Sequence, residues 1–407
     1  MKAIQFNLTI PRYALGLALS KLYYPVLWSG LSCTSLKDVP EPALPGPDWV
    51  KVRTRLAGIC GTDTSTVGLT TSPYFSPFSD SPFTLGHENV GDIVEVGAAA
   101  GEWQVGQRVV VNPVLWCATR GYAEADWCEP CKRGENNLCQ HYAEGGLRPA
   151  IHMGSSREIG GSWSAVFAMH KSNVYAVPEN VTDENALMVE PFACALHAAL
   201  IDFPADDETV LILGAGTIGL LQLAALRVLG SKARILVSAR YPFQVEAARK
   251  LGADEVLSGG DLYAQVAQET GAKIYKPLIG KRVVVGGVDR TYECVGTGGA
   301  LDDAMHLTRS AGTVIVVGTP GKVQGVDWTA IFSKELKVRA TIFYHHVEMV
   351  EGRAHKAFQL TLDWMAAGKL DIGWLVNGRY RLEDFGRALK EQGDKKNHPI
   401  VKAVFEF

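Results

Sequence analysis

Three cysteines lie close together in the sequence, at Cys128, Cys131 and Cys139. Thiolates at this spacing are typical of a structural zinc site, which closes with four sulfur or nitrogen ligands in a tetrahedron. The nearest further thiol is Cys117, and His141 would substitute for it if Cys117 points away. A disulfide framework is a poorer interpretation, because the chain is long and carries no recognisable secretory signal. The sequence therefore predicts a metal site at this cluster.

A second set of metal-type donors is spread along the chain: Cys60, the pair His87 and Glu88, and Glu190. Each residue alone indicates little, since a lone cysteine or histidine is more often a buried structural residue. Together they supply one thiolate, one imidazole and one or two carboxylates. A catalytic zinc requires three such protein ligands and one open position for substrate or water.

A third pattern, G-x-G-x-x-G, follows the apolar run 209–213 and opens a helical pattern that extends to Leu229. In this strand–turn–helix context the glycines allow a tight turn, close approach of a pyrophosphate and close helix packing. The alternative is a tight turn that binds no ligand. The predicted cofactor-binding residues of this turn are Gly214, Gly216, Thr217, Ile218 and Gly219.

The residue type at the end of the next strand bears on the choice between NAD and NADP. An NAD site usually places an acid roughly 20 residues after the glycines, where it binds the ribose hydroxyls. That position is Ala239 here, flanked by Ser238 and Arg240. An arginine and a hydroxyl suit a 2′-phosphate, which favours NADP over NAD. The alternative is a solvated surface arginine without a ligand.

The composition limits the class of protein. The chain has 407 residues, of which 47% are hydrophobic and 20% are charged, as expected for two ordinary domains with buried cores. The formal net charge of −3 argues against a nucleic-acid partner. No apolar run reaches the length of about 18 residues that a membrane span needs, so we expect no membrane partner. The short apolar stretch 14–19 is unlike a signal peptide, and we interpret it as an insertion in a cytoplasmic protein.

The elements that must position these residues change character near residue 200. Before it, short β-branched runs bounded by turn residues indicate an irregular β-rich domain. After it, strand-like runs at 209–213, 233–238, 282–286, 289–294 and 313–317 have helical stretches between several of them. This alternation predicts a parallel sheet with helices on both faces. From about residue 345 the pattern is helical again and ends in a strand-like segment.

In type and order these motifs resemble those of the zinc-dependent medium-chain dehydrogenase/reductase family, the group of alcohol, sorbitol and threonine dehydrogenases. The resemblance covers nearly the whole chain. The polyol and threonine branch is the closer likeness, because the third-ligand region contains Glu-Pro rather than cysteine. The matching segments are GICGTD (58–63), GHENVGDIVEVG (86–97), CEPCKRGENNLC (128–139), VEPFACALHA (189–198) and GAGTIG (214–219).

The resemblance implies an α/β fold with a GroES-like β-rich catalytic domain and a Rossmann domain with a doubly wound parallel sheet. Residues 1–200 and 345–407 would form the catalytic domain, and residues 201–344 the dinucleotide-binding domain. Relatives form dimers or tetramers, so the resemblance also implies a homodimer or homotetramer.

The resemblance also implies roles for individual residues. Cys60 and His87 look like ligands of a catalytic zinc, with Glu88 or Glu190 as the carboxylate, bound directly or through water. Thr62 matches the hydroxyl that contacts the substrate alcohol and starts a proton relay. The four cysteines that would hold the structural zinc are Cys117, Cys128, Cys131 and Cys139.

The chain departs from the family pattern at three places. Ser65 stands where many relatives have a histidine that completes the proton relay. Ala125 stands where relatives have the first structural cysteine, so Cys117 would have to reach across an insertion. An extra segment separates the first strand, 1–6, from residues 38–42.

Substrate identity is less constrained than the ligand pattern. The loop 69–84, which borders the substrate cleft in relatives, carries Tyr74, Phe75, Phe78 and Phe83. An aromatic wall there would favour a bulky or apolar alcohol. Packing within the domain is the better explanation for most of these rings.

The leading hypothesis is a zinc-dependent oxidoreductase that moves a hydride between NADP, or NAD, and a small alcohol or polyol and its aldehyde or ketone. Zinc would act as a Lewis acid on the substrate oxygen. One alternative is a relative that acts as a biosynthetic carbonyl reductase or a redox-neutral enzyme. Another is a catalytically silent nucleotide-binding scaffold, which the serine at position 65 favours and the intact zinc-type donors oppose.

Overall fold

The computed structural model describes residues Met1 to Phe407, which form two compact units. The first unit contains Met1–Glu190 and His345–Phe407, and the second contains Pro191–Tyr344. None of the helices combines the length and apolar character needed to cross a bilayer.

The first part of the first unit is rich in short strands. In chain order its elements are β1 (Lys2–Phe6), α1 (Ile10–Ser20), β2 (Thr34–Asp38), β3 (Trp49–Gly58), α2 (Gly61–Val67), β4 (Phe83–Thr84), β5 (Asn89–Val96), β6 (Arg108–Val111), α3 (Glu129–Lys132), β7 (Val166–His170), β8 (Val174–Ala176), α4 (Asp183–Leu187) and α5 (Val189–Leu200), the last of which begins in this unit.

The second unit alternates strands and helices. Its elements are β9 (Thr209–Leu213), α6 (Thr217–Val228), β10 (Arg234–Ala239), α7 (Pro242–Lys250), β11 (Glu255–Ser258), α8 (Leu262–Thr270), β12 (Lys273–Tyr275), β13 (Val283–Val285), β14 (Val288–Glu293), α9 (Gly298–Leu307), β15 (Thr308–Val316), α10 (Thr329–Ser333) and β16 (Lys337–Ala340).

The chain then returns to the first unit. The closing elements are β17 (Val347–Val350), β18 (Arg353–Lys356), α11 (Ala357–Ala366), β19 (Val376–Arg381), α12 (Phe385–Gly393) and β20 (Lys402–Glu406).

The first unit is organised around a sheet of seven strands in the order β19-β20-β3-β5-β6-β8, with β7 also paired to β3. The central strand β3 alternates as expected for a sheet with one buried face: Val50 and Val52 are buried, whereas Arg53 and Arg55 are exposed. A smaller sheet has the order β2-β1-β4. Because β20 pairs with β3, the last residues of the chain lie beside the strand that leads to Cys60.

The second unit contains a parallel sheet of six strands in the order β11-β10-β9-β14-β15-β16. The order reverses between β9 and β14, which is the switch point where doubly wound sheets bind ligands beyond the carboxyl ends of their strands. The run predicted at 282–286 forms β13, which pairs antiparallel with β12 in a separate ribbon rather than in the parallel sheet. An apolar run in the sequence specifies an extended strand but not its neighbours, which explains the difference.

Candidate functional site

Three of the predicted zinc donors lie together in the first unit. One ligand atom from each of Cys60, His87 and Glu88 lies within 4.8 Å of the others. Cys60 follows β3, whereas His87 and Glu88 immediately precede β5. These strands are antiparallel neighbours with Ala57 opposite Asn89, so the end of one meets the start of the other. The pairing brings together donors that are far apart in sequence.

Glycine on β3 makes room for the carboxylate. A Cβ atom added at Gly58 would overlap the carboxylate of Glu88. Gly86, just before the histidine, has φ +93°, a left-handed conformation that favours glycine. Gly58 and Glu88 are therefore coupled by steric demand, whereas a Cβ atom at Gly86 would collide with Trp163 and Ser162.

Asp63 orients the histidine, although the sequence analysis did not identify it as a site residue. Its Oδ1 lies 3.5 Å from Nδ1 of His87, and its Oδ2 accepts a hydrogen bond of 3.1 Å from the N–H of Cys60. Burial opposes ionisation of Asp63, but His87 and this N–H outweigh it, so the pKa of Asp63 lies below its usual value. A carboxylate on one imidazole nitrogen fixes the ring and frees the other nitrogen for a metal. The available signal was an acid three residues after Cys60, the spacing of a capping box.

The second carboxylate, Glu190, lies in the first turn of α5 and is buried. Burial raises the pKa of Glu190 to about 7, with Glu88 adding to the shift and His87 and Lys402 opposing it. Glu190 therefore interacts electrostatically with Glu88 and His87, but it lies outside the set of three donors whose ligand atoms come within 4.8 Å of one another.

A buried lysine completes this group and was missed by the sequence analysis. Lys402, the first residue of β20, forms an ion pair with Glu88 and donates a hydrogen bond of 3.2 Å to the carbonyl oxygen of Ile59. Lys402 and Glu88 are only 2% and 1% exposed. A lysine is rarely buried unless it is paired with an acid. A lysine within the apolar segment 400–405 was therefore the one sequence signal that could have identified Lys402.

Three polar residues surround the cluster without belonging to its donor set. Thr62 lies exposed in the first turn of α2, next to Cys60, and Ser65 is half-buried in the same helix. The ring of His152 lies 5.1 Å from that of His87, centroid to centroid. Burial and the neighbouring His87 lower the pKa of His152 to about 3, so this ring is neutral at ordinary pH.

The cysteine cluster also lies within the first unit. The sulfur of Cys117 is 3.6 Å from that of Cys128 and 3.8 Å from that of Cys139. Cys131 is buried beside them and hydrogen-bonds Cys139. Nδ1 of His141 lies 3.3 Å from the sulfur of Cys117, so the structure brings both candidate fourth donors to the cluster.

The surroundings of the cluster suit thiolates. Backbone N–H groups of Cys128, Gln140 and His141 each donate to a cysteine sulfur at 3.4 Å. Hydrogen bonding within the cluster, chiefly from Cys131, lowers the pKa of Cys139 to about 6, whereas burial raises the pKa of Cys117 to about 12 and the hydrogen bond to Cys139 raises that of Cys131. Sulfur donors alone, or sulfur with one imidazole, form the donor set of a structural zinc. Ala125, where relatives carry the first cysteine, is exposed.

Two of the three glycines of the dinucleotide turn have a steric reason in the second unit. Gly214 has φ +103°, and a Cβ atom there would crowd Val295. A Cβ atom at Gly219 would overlap the carbonyl oxygen of Gly214, so only glycine lets α6 approach the turn. Gly216 faces open space, as an approaching phosphate requires. The residues between them, Thr217 and Ile218, form the first turn of α6.

The two residues predicted to select the nucleotide flank the end of β10. Ser238 is half-buried within the strand, and Arg240 is exposed just after it. The guanidinium of Arg240 lies 5.5 Å from the ring centroid of Tyr241, and its backbone N–H is held by Gln244. No acid occurs between Ser238 and Gln244.

The aromatic loop divides into packed and exposed rings. Phe83 is buried against Phe6 at a centroid distance of 5.4 Å, and Phe78 packs on Tyr142 at 6.0 Å. Tyr74, in a 3-10 turn, is exposed. Packing therefore accounts for Phe78 and Phe83.

Comparison with known proteins gives a consistent result. The family model described as alcohol dehydrogenase GroES-like domain matches residues 46–179, and the model described as zinc-binding dehydrogenase matches residues 217–366. Sorbitol dehydrogenase of Bacillus subtilis (strain 168) is 26% identical over 374 residues, which cover 91% of this chain and 94% of the relative. L-threonine 3-dehydrogenase of Aeromonas salmonicida (strain A449) is 26% identical over 385 residues, covering 94% and 98%.

A solved structure agrees with this fold. The structure of 2R,3R-butanediol dehydrogenase from Bacillus subtilis matches with a TM-score of 0.70 at 23% identity and covers 100% of this chain and 99% of that chain. The predicted α/β fold and the predicted family are both confirmed, and zinc and a nicotinamide nucleotide are the cofactors that this family uses. The chain therefore belongs to the zinc-dependent medium-chain dehydrogenases and is an oxidoreductase of the NAD(P)-dependent alcohol dehydrogenase type.

Proposed function

We propose that this chain is an NADP-preferring, zinc-dependent dehydrogenase of alcohols or polyols. Its catalytic zinc would be held by Cys60, His87 and a carboxylate from Glu88 or Glu190. The supporting observation is the buried group of thiolate, imidazole and carboxylate donors within 4.8 Å of one another. This donor set fits zinc, which accepts sulfur, nitrogen and oxygen ligands and keeps an open position in catalytic sites.

When bound, zinc supplies a Lewis acid that lowers the pKa of an alcohol ligand, and the nicotinamide supplies the hydride acceptor. The protein's own residues orient the zinc ligands and carry the substrate proton to solvent. Asp63 holds the ring of His87 so that one nitrogen stays available as a donor. Thr62, exposed beside Cys60, carries the substrate proton outward, and Ser65 or solvent takes the place of the histidine that many relatives use.

The zinc proposal is tested by elemental analysis of the purified protein. We expect two zinc ions per chain in the wild type and one in Cys60→Ser, because the second site is separate. Cys33→Ser is the matched control, since Cys33 is buried outside both clusters. Glu88→Gln and Glu190→Gln, measured in parallel, identify the carboxylate whose loss lowers zinc content. A single zinc that persists in Cys60→Ser would refute the catalytic site.

The cofactor preference is tested by nucleotide titration. Ser238 and Arg240 flank the end of β10, where we expect the ribose of the cofactor to bind, and a charged hydrogen bond to a 2′-phosphate would contribute about 1.5–3 kcal/mol. We therefore expect Arg240→Ala to weaken NADPH binding by roughly one to two orders of magnitude and to leave NADH binding unchanged. Arg249→Ala, at an exposed position of α7, is the control. Equal affinities for both nucleotides, unchanged by Arg240→Ala, would contradict the preference.

Turnover distinguishes this proposal from a silent scaffold or a redox-neutral enzyme. With NADP⁺ and a panel of alcohols and polyols deuterated at the carbinol carbon, we expect deuterium to appear in the reduced nucleotide. Nucleotide binding without any transfer of the label would contradict dehydrogenase activity.

A homodimer or homotetramer is proposed on a separate observation. The edge strand β16 of the six-stranded sheet is exposed along its whole length. Exposed edges present unpaired backbone groups that can pair with another chain. Light scattering after size exclusion tests this, and a monomeric mass at micromolar concentration would contradict it.

A further inference from the structure

The connection between β1 and β2 carries an apolar surface that the dehydrogenase function does not explain. It contains α1 and a 3-10 turn at Tyr24–Trp28. One face of α1 packs inward: Gly16 lies so close to Ser32 and Leu69 that a Cβ atom there would overlap both side chains. The segment is therefore a folded part of the first unit.

The opposite face of α1 is exposed and nearly free of polar groups. Ile10, Ala14, Leu17 and Ala18 follow one another at helical spacing, and all four are exposed. Ile10 is 86% exposed and Leu22, just after the helix, is 87% exposed. Large exposed apolar side chains that share one face mark interaction sites. We call this the N-terminal apolar surface; its large members are Leu8, Ile10, Leu15, Leu17, Leu22, Tyr23, Tyr24 and Leu31.

The charges within this connection have one sign. Residues 7–33 contain two cationic side chains, Arg12 and Lys21, and no aspartate or glutamate. Lys21 is exposed on the same face as Ala14 and Ala18. Two acids of neighbouring elements are paired with cations: Glu383 binds Lys2, and Asp80 binds Arg148. The surface therefore presents apolar groups with an unbalanced positive charge.

We propose that the N-terminal apolar surface docks onto an anionic lipid bilayer. Its composition matches that of elements that lie in the membrane interface: aliphatic side chains for the acyl boundary, tyrosines at headgroup level, and cations for anionic headgroups. Ile10 and Leu22 enter the boundary, while the long stem of Lys21 reaches the phosphates. The expectation of no membrane partner rested on the lack of a spanning segment, and docking on the surface needs none.

A second copy of the chain is a poorer occupant. A twofold contact would bring the same surface of both copies together, and residues 7–33 contain no acid that could pair with Lys21 of the other copy. Anionic headgroups remove this repulsion. The charge pattern thus favours binding to an anionic bilayer over association with a second copy of the chain.

The test is flotation of the purified full-length protein with vesicles of phosphatidylcholine alone or mixed with phosphatidylserine. We expect the mixed vesicles to bind the protein, and binding to weaken as salt rises from about 0.1 M to about 1 M, where screening shortens to about 3 Å. Ile10→Asp and Leu22→Asp should each lower the partition coefficient by about tenfold or more, because each removes an inserted side chain. Val105→Asp, at an exposed apolar residue elsewhere in the first unit, should bind as the wild type does.

Three results would overturn the proposal. These are a wild type that fails to float with the mixed vesicles, Ile10→Asp and Leu22→Asp variants that both bind like the wild type, and variants whose main change is a lower oligomeric mass. The last result, measured by light scattering, would assign the surface to a contact between copies. Both substituted side chains are exposed, so neither variant removes core packing, and unchanged thermal unfolding verifies this.

Discussion

Removing the charge of the buried lysine at the candidate zinc site should destabilise the protein far more than removing the charge of an exposed lysine. Lys402 and Glu88 are 2% and 1% exposed, so neither charge is compensated by water. The substitution Lys402→Met keeps the length of the side chain and removes its charge. It leaves Glu88 buried without its cation and removes the shorter of two hydrogen bonds to the carbonyl oxygen of Ile59, the other coming from Gln392 at 3.5 Å.

The magnitude follows from the burial of the pair. Breaking a buried ion pair by removing one partner costs about 3–5 kcal/mol of unfolding free energy. Replacing both partners by neutral groups costs far less, so the double variant Glu88→Gln/Lys402→Met should recover most of the loss. We expect a coupling energy of roughly 2 kcal/mol or more between the two positions. Zinc bound at Cys60, His87 and a carboxylate would itself balance part of the charge on Glu88, so the loss in Lys402→Met should be larger after chelation.

The assay is urea unfolding followed by the fluorescence of the nine tryptophans, with and without chelator. The matched control is Lys2→Met, whose partner Glu383 lies 2.8 Å away in an exposed pair; such pairs contribute little to stability. The reasoning is refuted if Lys402→Met loses no more stability than Lys2→Met. It is also refuted if the double variant loses the sum of the two single losses.

Two further predictions concern the dinucleotide turn and the cysteine cluster. Gly219→Ala should lower nucleotide affinity by about tenfold or more, measured by fluorescence titration, because the added methyl group overlaps the carbonyl oxygen of Gly214 and moves the turn. Gly299→Ala, in α9, meets no neighbouring atom and should bind normally with stability raised by up to about 1 kcal/mol; equal affinities in both variants would contradict the steric argument. Cys117→Ser should lower the zinc content by one ion per chain and lower the thermal midpoint, whereas Cys33→Ser should leave the zinc content unchanged. Unchanged zinc in Cys117→Ser would assign the fourth ligand to His141.

Much of the fold could be predicted because its strongest signals are local. A buried strand followed by a glycine turn and a helix specifies β9 and α6 within one short segment. The ribbon of β12 and β13 was not distinguished from the parallel sheet, because pairing depends on neighbours distant in sequence. The sequence indicates an insertion at residues 14–19 but not which face of α1 is exposed, because exposure depends on what packs against the helix.

The sequence by itself determined the donors and the family: the types and order of Cys60, His87, Glu88 and Glu190 specify metal chemistry wherever the backbone carries them. Only the tertiary structure decided how these donors are supported. Pairing of β3 with β5 gathers the donors, and pairing of β20 with β3 delivers Lys402 to Glu88 from the other end of the chain. The presence of a lysine in an apolar strand is explained only when its partner, Glu88, is known. The physical reason is that burial and electrostatic compensation are properties of the packed chain, and no local pattern encodes them.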